Sequence, residues 1–171
     1  MTLLEQAITA IQDRFGAEVC QFCSVPSLIV PAQHLVAAAR ALRDEFSFNM
    51  LSDGTAVDYW PDEPRFCVIY NLNSYTEHIR ISLRVTVSGE NPNLPTLEGV
   101  YPNANWYERE LWDMFAIRFV GHSDLRRIVM PYDWQGHPLR KDYPLGYEEP
   151  QFTFNFDEIA RRKHRGTQTE A

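Results

Sequence analysis

"EHIRISLRVTV", from Glu77 to Val87, alternates with a period of two. Ile79, Ile81, Leu83, Val85 and Val87 fall on one side, and His78, Arg80, Ser82, Arg84 and Thr86 on the other. A strand with this pattern buries one face and leaves the other polar. Two upstream segments carry the matching helical pattern. Thr2 followed by Glu5 is a capping box, Leu4, Ile8, Ile11 and Phe15 repeat at helical spacing, and Gly16 supplies a stop. Pro31 opens a second helix, in which Leu35, Ala39, Leu42 and Phe46 repeat the stripe. Helices with one apolar face beside a one-faced strand predict an α+β layer, an antiparallel or mixed sheet with the helices packed on one face.

Further strands are expected at 18–24 and 28–31, turning at Pro26-Ser27, then at 48–51 and 56–60 around an Asp53-Gly54 hairpin turn, and at 66–72. After Gly89 the prolines Pro92, Pro95 and Pro102 space out a connector. Asn105 followed by Glu108 predicts the cap of a third helix that runs to about Ile117. On a helical wheel Tyr107, Leu111, Met114 and Phe115 share one arc, and Arg109, Glu110 and Asp113 share the polar one. Glu108 falls beside Trp112 and Phe115. It reads both as the end of the capping box and as a buried carboxylate that needs a cationic partner, because an unpaired buried charge is costly. Arg126, Arg127, Arg140 and Lys141 are the nearest cations.

Residues 1–120 thus form the α+β domain, and 121–171 read as an extended C-terminal arm. Pro131, Pro138, Pro144 and Pro150 block helix interiors and remove ladder donors. Tyr132, Trp134, Tyr143, Tyr147, Phe152, Phe154 and Phe156 are anchors suited to an interface, so the arm is expected to dock on a partner. The basic run Arg161, Arg162, Lys163 and Arg165 reads as a solvated terminus.

Composition narrows the function. The 171 residues are 44% hydrophobic and 23% charged, ordinary for a globular chain. A net charge of −7 argues against general attraction to nucleic acid or to an anionic membrane. The start, with Glu5 and Asp13 among its apolar residues, is unlike a signal peptide, and no run of apolar residues is long enough to span a bilayer. A cytosolic protein is expected, with membrane association only through partners. Cys20 and Cys23 form a C-x-x-C, but Cys67 is the only other cysteine, too few for a four-ligand zinc or iron–sulfur site.

"GHSDLRRIVMP" and "GHPLRKDYPL" place His122 and His137 fifteen residues apart, each followed by paired cations. With Asp124 and Asp133 they match no zinc spacing, Lys141 lies in no phosphate loop, and neither histidine has a nucleophile in a motif. Arg126, Arg127, Arg140 and Lys141 balance Asp124, Asp133 and Asp142 locally, which suits a structural clamp.

These same words carry a resemblance. "NWYERELWDMFAIRFVGHSDLRRIVMPYDWQGHPLRKDYPL" is similar to the signature of the C-type, or thirty-kilodalton-type, subunit of proton-translocating NADH:quinone oxidoreductase, respiratory complex I. The likeness is strong from Pro102 to about Phe156. Ala116 stands where the family generally has glycine, Ser123 where proline is usual, and Trp112 where tyrosine or phenylalanine is commoner. The resemblance implies a peripheral protein on the cytoplasmic side of the cell inner membrane, beside the D, B and I subunits, with its C-terminal segment lying across the D-type one. It implies no cofactor in this chain. FMN and iron–sulfur clusters belong to partners, which pass electrons from NADH to quinone and couple this to proton translocation. The motif residues Glu108, Arg109, Glu110, Asp113, His122, Asp124, Arg126, Arg127, Trp134, His137, Arg140, Lys141, Asp142 and Tyr143 are then structural or partner-facing. Other readings stay open: the equivalent subunit of a ferredoxin-dependent complex or membrane-bound hydrogenase, and a stand-alone metal-dependent enzyme using His122, His137 and Cys20 or Cys23.

Overall fold

The computed structural model describes residues 2–22 and 25–144. Helix α1, Leu3–Phe15, begins at the capping box, with the Glu5 N–H on the Thr2 hydroxyl and the Thr2 N–H on Glu5. It ends at Gly16, whose φ of 64° is the left-handed conformation that glycine adopts without a side-chain clash. Strands β1, Glu18–Phe22, and β2, Val25–Ile29, follow. Pro31 opens a 3-10 turn, Ala32–His34, rather than the α-helix itself, and α2 runs Leu35–Phe46. Strands β3, Met50–Asp58, β4, Phe66–Ser74, and β5, Ile79–Val87, complete the main sheet.

Its order is β1-β2-β5-β4-β3. The β2–β5 pair is parallel and the others are antiparallel, so the sheet is mixed. The alternation along 79–87 holds, because Ile81, Leu83, Val85 and Val87 are buried with Leu35, Ala39 and Leu42 of α2 and with Ala7 and Ile11 of α1. Two expected turns are strand instead. Pro26 and Ser27 pair with Gln21 and Cys20 inside β2, and Pro26 sits just before the ladder to β5 begins, where its missing N–H is tolerated. Asp53 and Gly54 lie within the single strand β3, at a register shift between Leu51 and Asp53. Gly54 is required there by packing. A Cβ on it would come 2.9 Å from the Cβ of Tyr107.

Tyr107 belongs to α3, Ala104–Phe115, which is not capped by Asn105 as expected. The cap position is Asn103, whose side chain donates instead to the Leu51 carbonyl at 2.7 Å, while the Tyr107 hydroxyl donates to the Ser52 carbonyl at 2.9 Å. Both bonds satisfy the outer edge of β3 where the bulge bends it, and so seat α3 against that strand. Two short parallel strands, β6, Asn93–Pro95, and β7, Arg118–Val120, bracket α3. Beyond β7 the described chain to residue 144 has no further helix or strand. Among the described residues no helix is long and apolar enough to cross a membrane.

Helix α3 stops at Phe115 because Ala116 takes φ 65°, the left-handed position where a Cβ is penalised. A glycine, which the resemblance implies at this position, would adopt that φ without the clash. Ala116→Gly is expected to raise stability by about 1 kcal/mol. A urea melt with unchanged m-value and a higher midpoint checks it.

Candidate functional site

The motif residues converge on three carboxylates shielded from water. Asp113, fully buried, accepts the backbone N–H groups of Ile128, Val129 and Met130 at 3.1, 2.9 and 2.9 Å, all on Oδ2, and the guanidinium of Arg127 on Oδ1. Arg127 also donates to the Gly136 carbonyl at 3.0 Å. Burial by itself would raise the pKa of Asp113, but the Met130 N–H, Arg127 and the Val129 and Ile128 N–H groups outweigh it and hold the carboxyl below its usual range. The polar arc of α3 therefore faces protein, not solvent, for two of its members. Arg109, 7% exposed, donates to the carbonyls of Arg126 and Arg127 at 3.1 Å each and lies over the Trp106 ring. Glu110 alone is exposed.

Glu108 points inward, as expected, but its hydrogen-bond partners are neutral. It accepts from the Leu97 N–H at 2.7 Å, the Tyr70 hydroxyl at 3.2 Å and the Thr96 hydroxyl. Of the four cations expected to meet it, Arg126, Arg127 and Arg140 pair with Asp124, Asp113 and Asp142, and Lys141 is placed at Asp58 by its backbone N–H. Burial pushes the Glu108 pKa up, against the opposing pull of Thr96 and Leu97. The group ties α3 to β4 and to the segment after β6. It closes no capping box.

The third carboxylate belongs to a cluster that the sequence reading does not anticipate. Asp58, at the end of β3, accepts from Arg65 Nε at 2.9 Å and Nη2 at 2.8 Å, and from the backbone N–H groups of Trp60 and Lys141. The same guanidinium donates to both oxygens of Asp142, at 3.0 and 2.8 Å, and Arg140 closes the outer side of Asp142 at 3.0 and 3.1 Å. Arg65 and Arg140 both lie over the Phe66 ring, 4.9 and 5.5 Å from its centroid. Desolvation works against the ionised form of Asp58, yet Arg65 and the two N–H groups bring its pKa down to about 2, and Arg65 with Arg140 depresses that of Asp142. Nothing local in sequence announces a partner for Arg65 that lies seventy-seven residues away.

The two histidines stand in separate places. His122 shares a hydrogen bond with the Asn105 carbonyl through Nε2, and its Nδ1 accepts from the Asp124 N–H. His137 bonds the Asp113 carbonyl through Nδ1 at 2.9 Å and packs edge-on to Trp112, with desolvation pushing its pKa down. Asp124 and Arg126 form an exposed pair. Cys20 lies in β1 and Cys67 in β4, while Cys23 is outside the described residues. Among the described residues no three His, Cys, Asp or Glu side chains gather as metal ligands. The backbone N–H of Trp134 donates to the Pro131 carbonyl, and the Tyr143 ring lies against Gly136. Up to residue 144 the arm is thus fastened to the chain's own domain, and the Leu139 N–H adds a bond to the Met114 carbonyl. Residues 145–171, with most of the aromatic anchors and the basic run, lie outside the described residues.

The sequence family described as the 30 Kd subunit of respiratory-chain NADH dehydrogenase matches residues 28–149, most of the chain and all three carboxylate clusters. The chain belongs to this family. The C subunit of NADH-quinone oxidoreductase from Roseiflexus sp. (strain RS-1) is 48% identical over 95% of this chain and 94% of the relative. Its counterpart in Geobacter sulfurreducens is 40% identical over 82% and 89%. Among solved structures, a trypsin-resistant fragment (1-134) of Nqo5 superposes with a TM-score of 0.64 and 30% identity, covering 72% of this chain and all of the fragment. A chain of an archaeal membrane-bound sulfane sulfur reductase shares the fold, with a TM-score of 0.73 at 22% identity over 99% and 96%.

Two of the positions at which the resemblance implies a different residue make contacts of their own. Ser123, in place of proline, gives Glu98 both a backbone N–H at 2.9 Å and a hydroxyl at 2.6 Å, and these with Asn105 lower the Glu98 pKa to about 2. Trp112 receives Arg127 on its face, 5.8 Å from the ring centroid, and His137 at its edge, so the larger ring fills the wall beside Asp113.

Asp58, Asp113 and Asp142 all have folded pKa values below the unfolded value of roughly 3.9. The unfolded state therefore binds more protons between that value and the folded ones, and their stabilisation, full above it, is lost as pH falls. Thermal melts should show stability dropping steeply between about pH 4 and pH 2. Asp113→Asn is expected to remove part of that acid limb and to cost about 3–5 kcal/mol at pH 7, because Arg127 loses its buried partner.

Proposed function

We propose that the chain is a structural and assembly component of a proton-translocating NADH:quinone oxidoreductase, with no active site and no cofactor of its own. NADH, FMN, iron–sulfur clusters and quinone are bound by partner subunits in this reading. The chain sits beside the D, B and I subunits on the cytoplasmic side of the membrane, held there through those partners, and residues 145–171 lie on a partner. One observation supports it beyond family membership. The carboxylates at the centre of the motif are occupied within the chain: Asp113 accepts four donors, Asp142 is gripped by two arginines, and Glu108 is sealed from water. Groups held this way build a surface. A general acid, by contrast, needs an open path to a substrate proton.

The trypsin-resistant Nqo5 fragment supports a division between a compact part and a C-terminal segment. The test is native purification through a tag on this chain. NADH:quinone oxidoreductase activity and its other subunits should come with the full chain. With 145–171 deleted, the α+β domain should stay folded by circular dichroism while at least about 90% of the co-purified activity is lost, as when a tethered contact is removed. Recovery of a free monomer from the full chain would refute the proposal.

A further inference from the structure

Arg65 is 6% exposed and far from the motif in sequence, yet it holds two carboxylates at once. Asp58 comes from its own hairpin and is 4% exposed. Asp142 comes from the arm and keeps a 39% exposed side chain. The charges alternate outward in one series: Asp58, Arg65, Asp142, Arg140. Each guanidinium donates along its fork, and both forks stack on Phe66. The Asp58 carboxylate reaches the arm a second time through the Lys141 N–H at 2.8 Å. Residues 140–142 are therefore fixed to the β3–β4 hairpin by backbone and side chain together, two residues before the described chain ends.

We propose that Arg65 is the positioning residue for the arm up to Pro144: by bridging Asp58 and Asp142 it fixes where residues 140–144 lie on the β3–β4 hairpin. Its own side chain need not touch a partner. A planar fork is what such a bridge requires, since a point charge cannot hold two carboxylates in plane. The consequence for assembly rests on the reading that residues 145–171 dock on a partner, while the positioning itself does not.

Limited trypsin digestion of the full chain reads the positioning directly, because Arg140 is a cleavage site held in the cluster by its side chain and Lys141 one anchored there by its backbone N–H. In Asp142→Asn, which leaves the buried Asp58–Arg65 pair intact, cleavage at these two sites is expected to rise about tenfold to a hundredfold, tracking the population of the released arm. Arg65→Lys should resemble Arg65→Met rather than the parent, because charge without the fork does not restore the bridge. The melting transition of Asp142→Asn should stay that of a folded domain. Unchanged cleavage in Asp142→Asn, or full rescue by Arg65→Lys, overturns the proposal. Pull-down of partner subunits with the same variants separates the two readings. Faster cleavage with a matching loss of partner supports both, whereas faster cleavage with full partner recovery leaves Arg65 as the positioning residue and refutes docking through 145–171.

Discussion

A carboxylate removed from water must be surrounded by donors, and in this chain that constraint organises the described residues after the main sheet, up to Pro144. Asp58, Glu108 and Asp113 are 4%, 0% and 0% exposed. None could remain ionised in a dry site without compensation. Asp113 recruits three successive N–H groups and Arg127, which shapes residues 126–130. Asp58 recruits Arg65 and the Lys141 N–H, which brings the arm back to the hairpin. Glu108 recruits Thr96 and Leu97, which fixes the approach to α3. With Pro131, Pro138 and Pro144 in it, the segment 121–144 is poorly suited to ladder bonds, and these side chains take over that role.

Glu108 differs from the aspartates in one respect. Its hydrogen-bond donors are neutral and its pKa is raised by burial, whereas Asp58, Asp113 and Asp142 each have an arginine and lowered pKa values. Ionising Glu108 thus costs stability as pH rises above the range of a free glutamate, opposite in sign to the aspartates. The fold tolerates both because Glu108 sits among side chains of the core, while the aspartates stand at the seam between domain and arm.

How far sequence reveals each feature follows from the range of the interaction that makes it. The strand at 79–87 and helices α1 and α2 declare themselves by period and caps, since burial there is set by neighbours within a few residues. Gly54 misleads because a glycine needed for the approach of Tyr107 looks identical to one needed for a turn. The helical wheel puts Glu108 on the inner arc, where it lies, but its donors come from the preceding connector. The rule that a buried acid wants a cation points to arginines that other acids hold. The same wheel turns Asp113 toward solvent, because a wheel knows nothing of the irregular chain that covers it. Arg65 and Asp58 escape sequence reading altogether. Their only signal is one acid and one base flanking a Pro-rich hairpin, and the partner Asp142 lies far along the chain. In "GHPLRKDYPL", Asp142 and the Lys141 N–H bond Arg65 and Asp58 of the chain's own domain, a contact that local charge balance does not reveal.

Amide hydrogen exchange at Ile128, Val129 and Met130 tests most directly whether buried carboxylates order the irregular segment. All three N–H groups are predicted to be protected by at least about a hundredfold in the parent chain and to lose that protection together in Asp113→Asn, while amides of β4 and β5 keep theirs. Exchange at unprotected rates in the parent, or protection that survives the substitution, would contradict it.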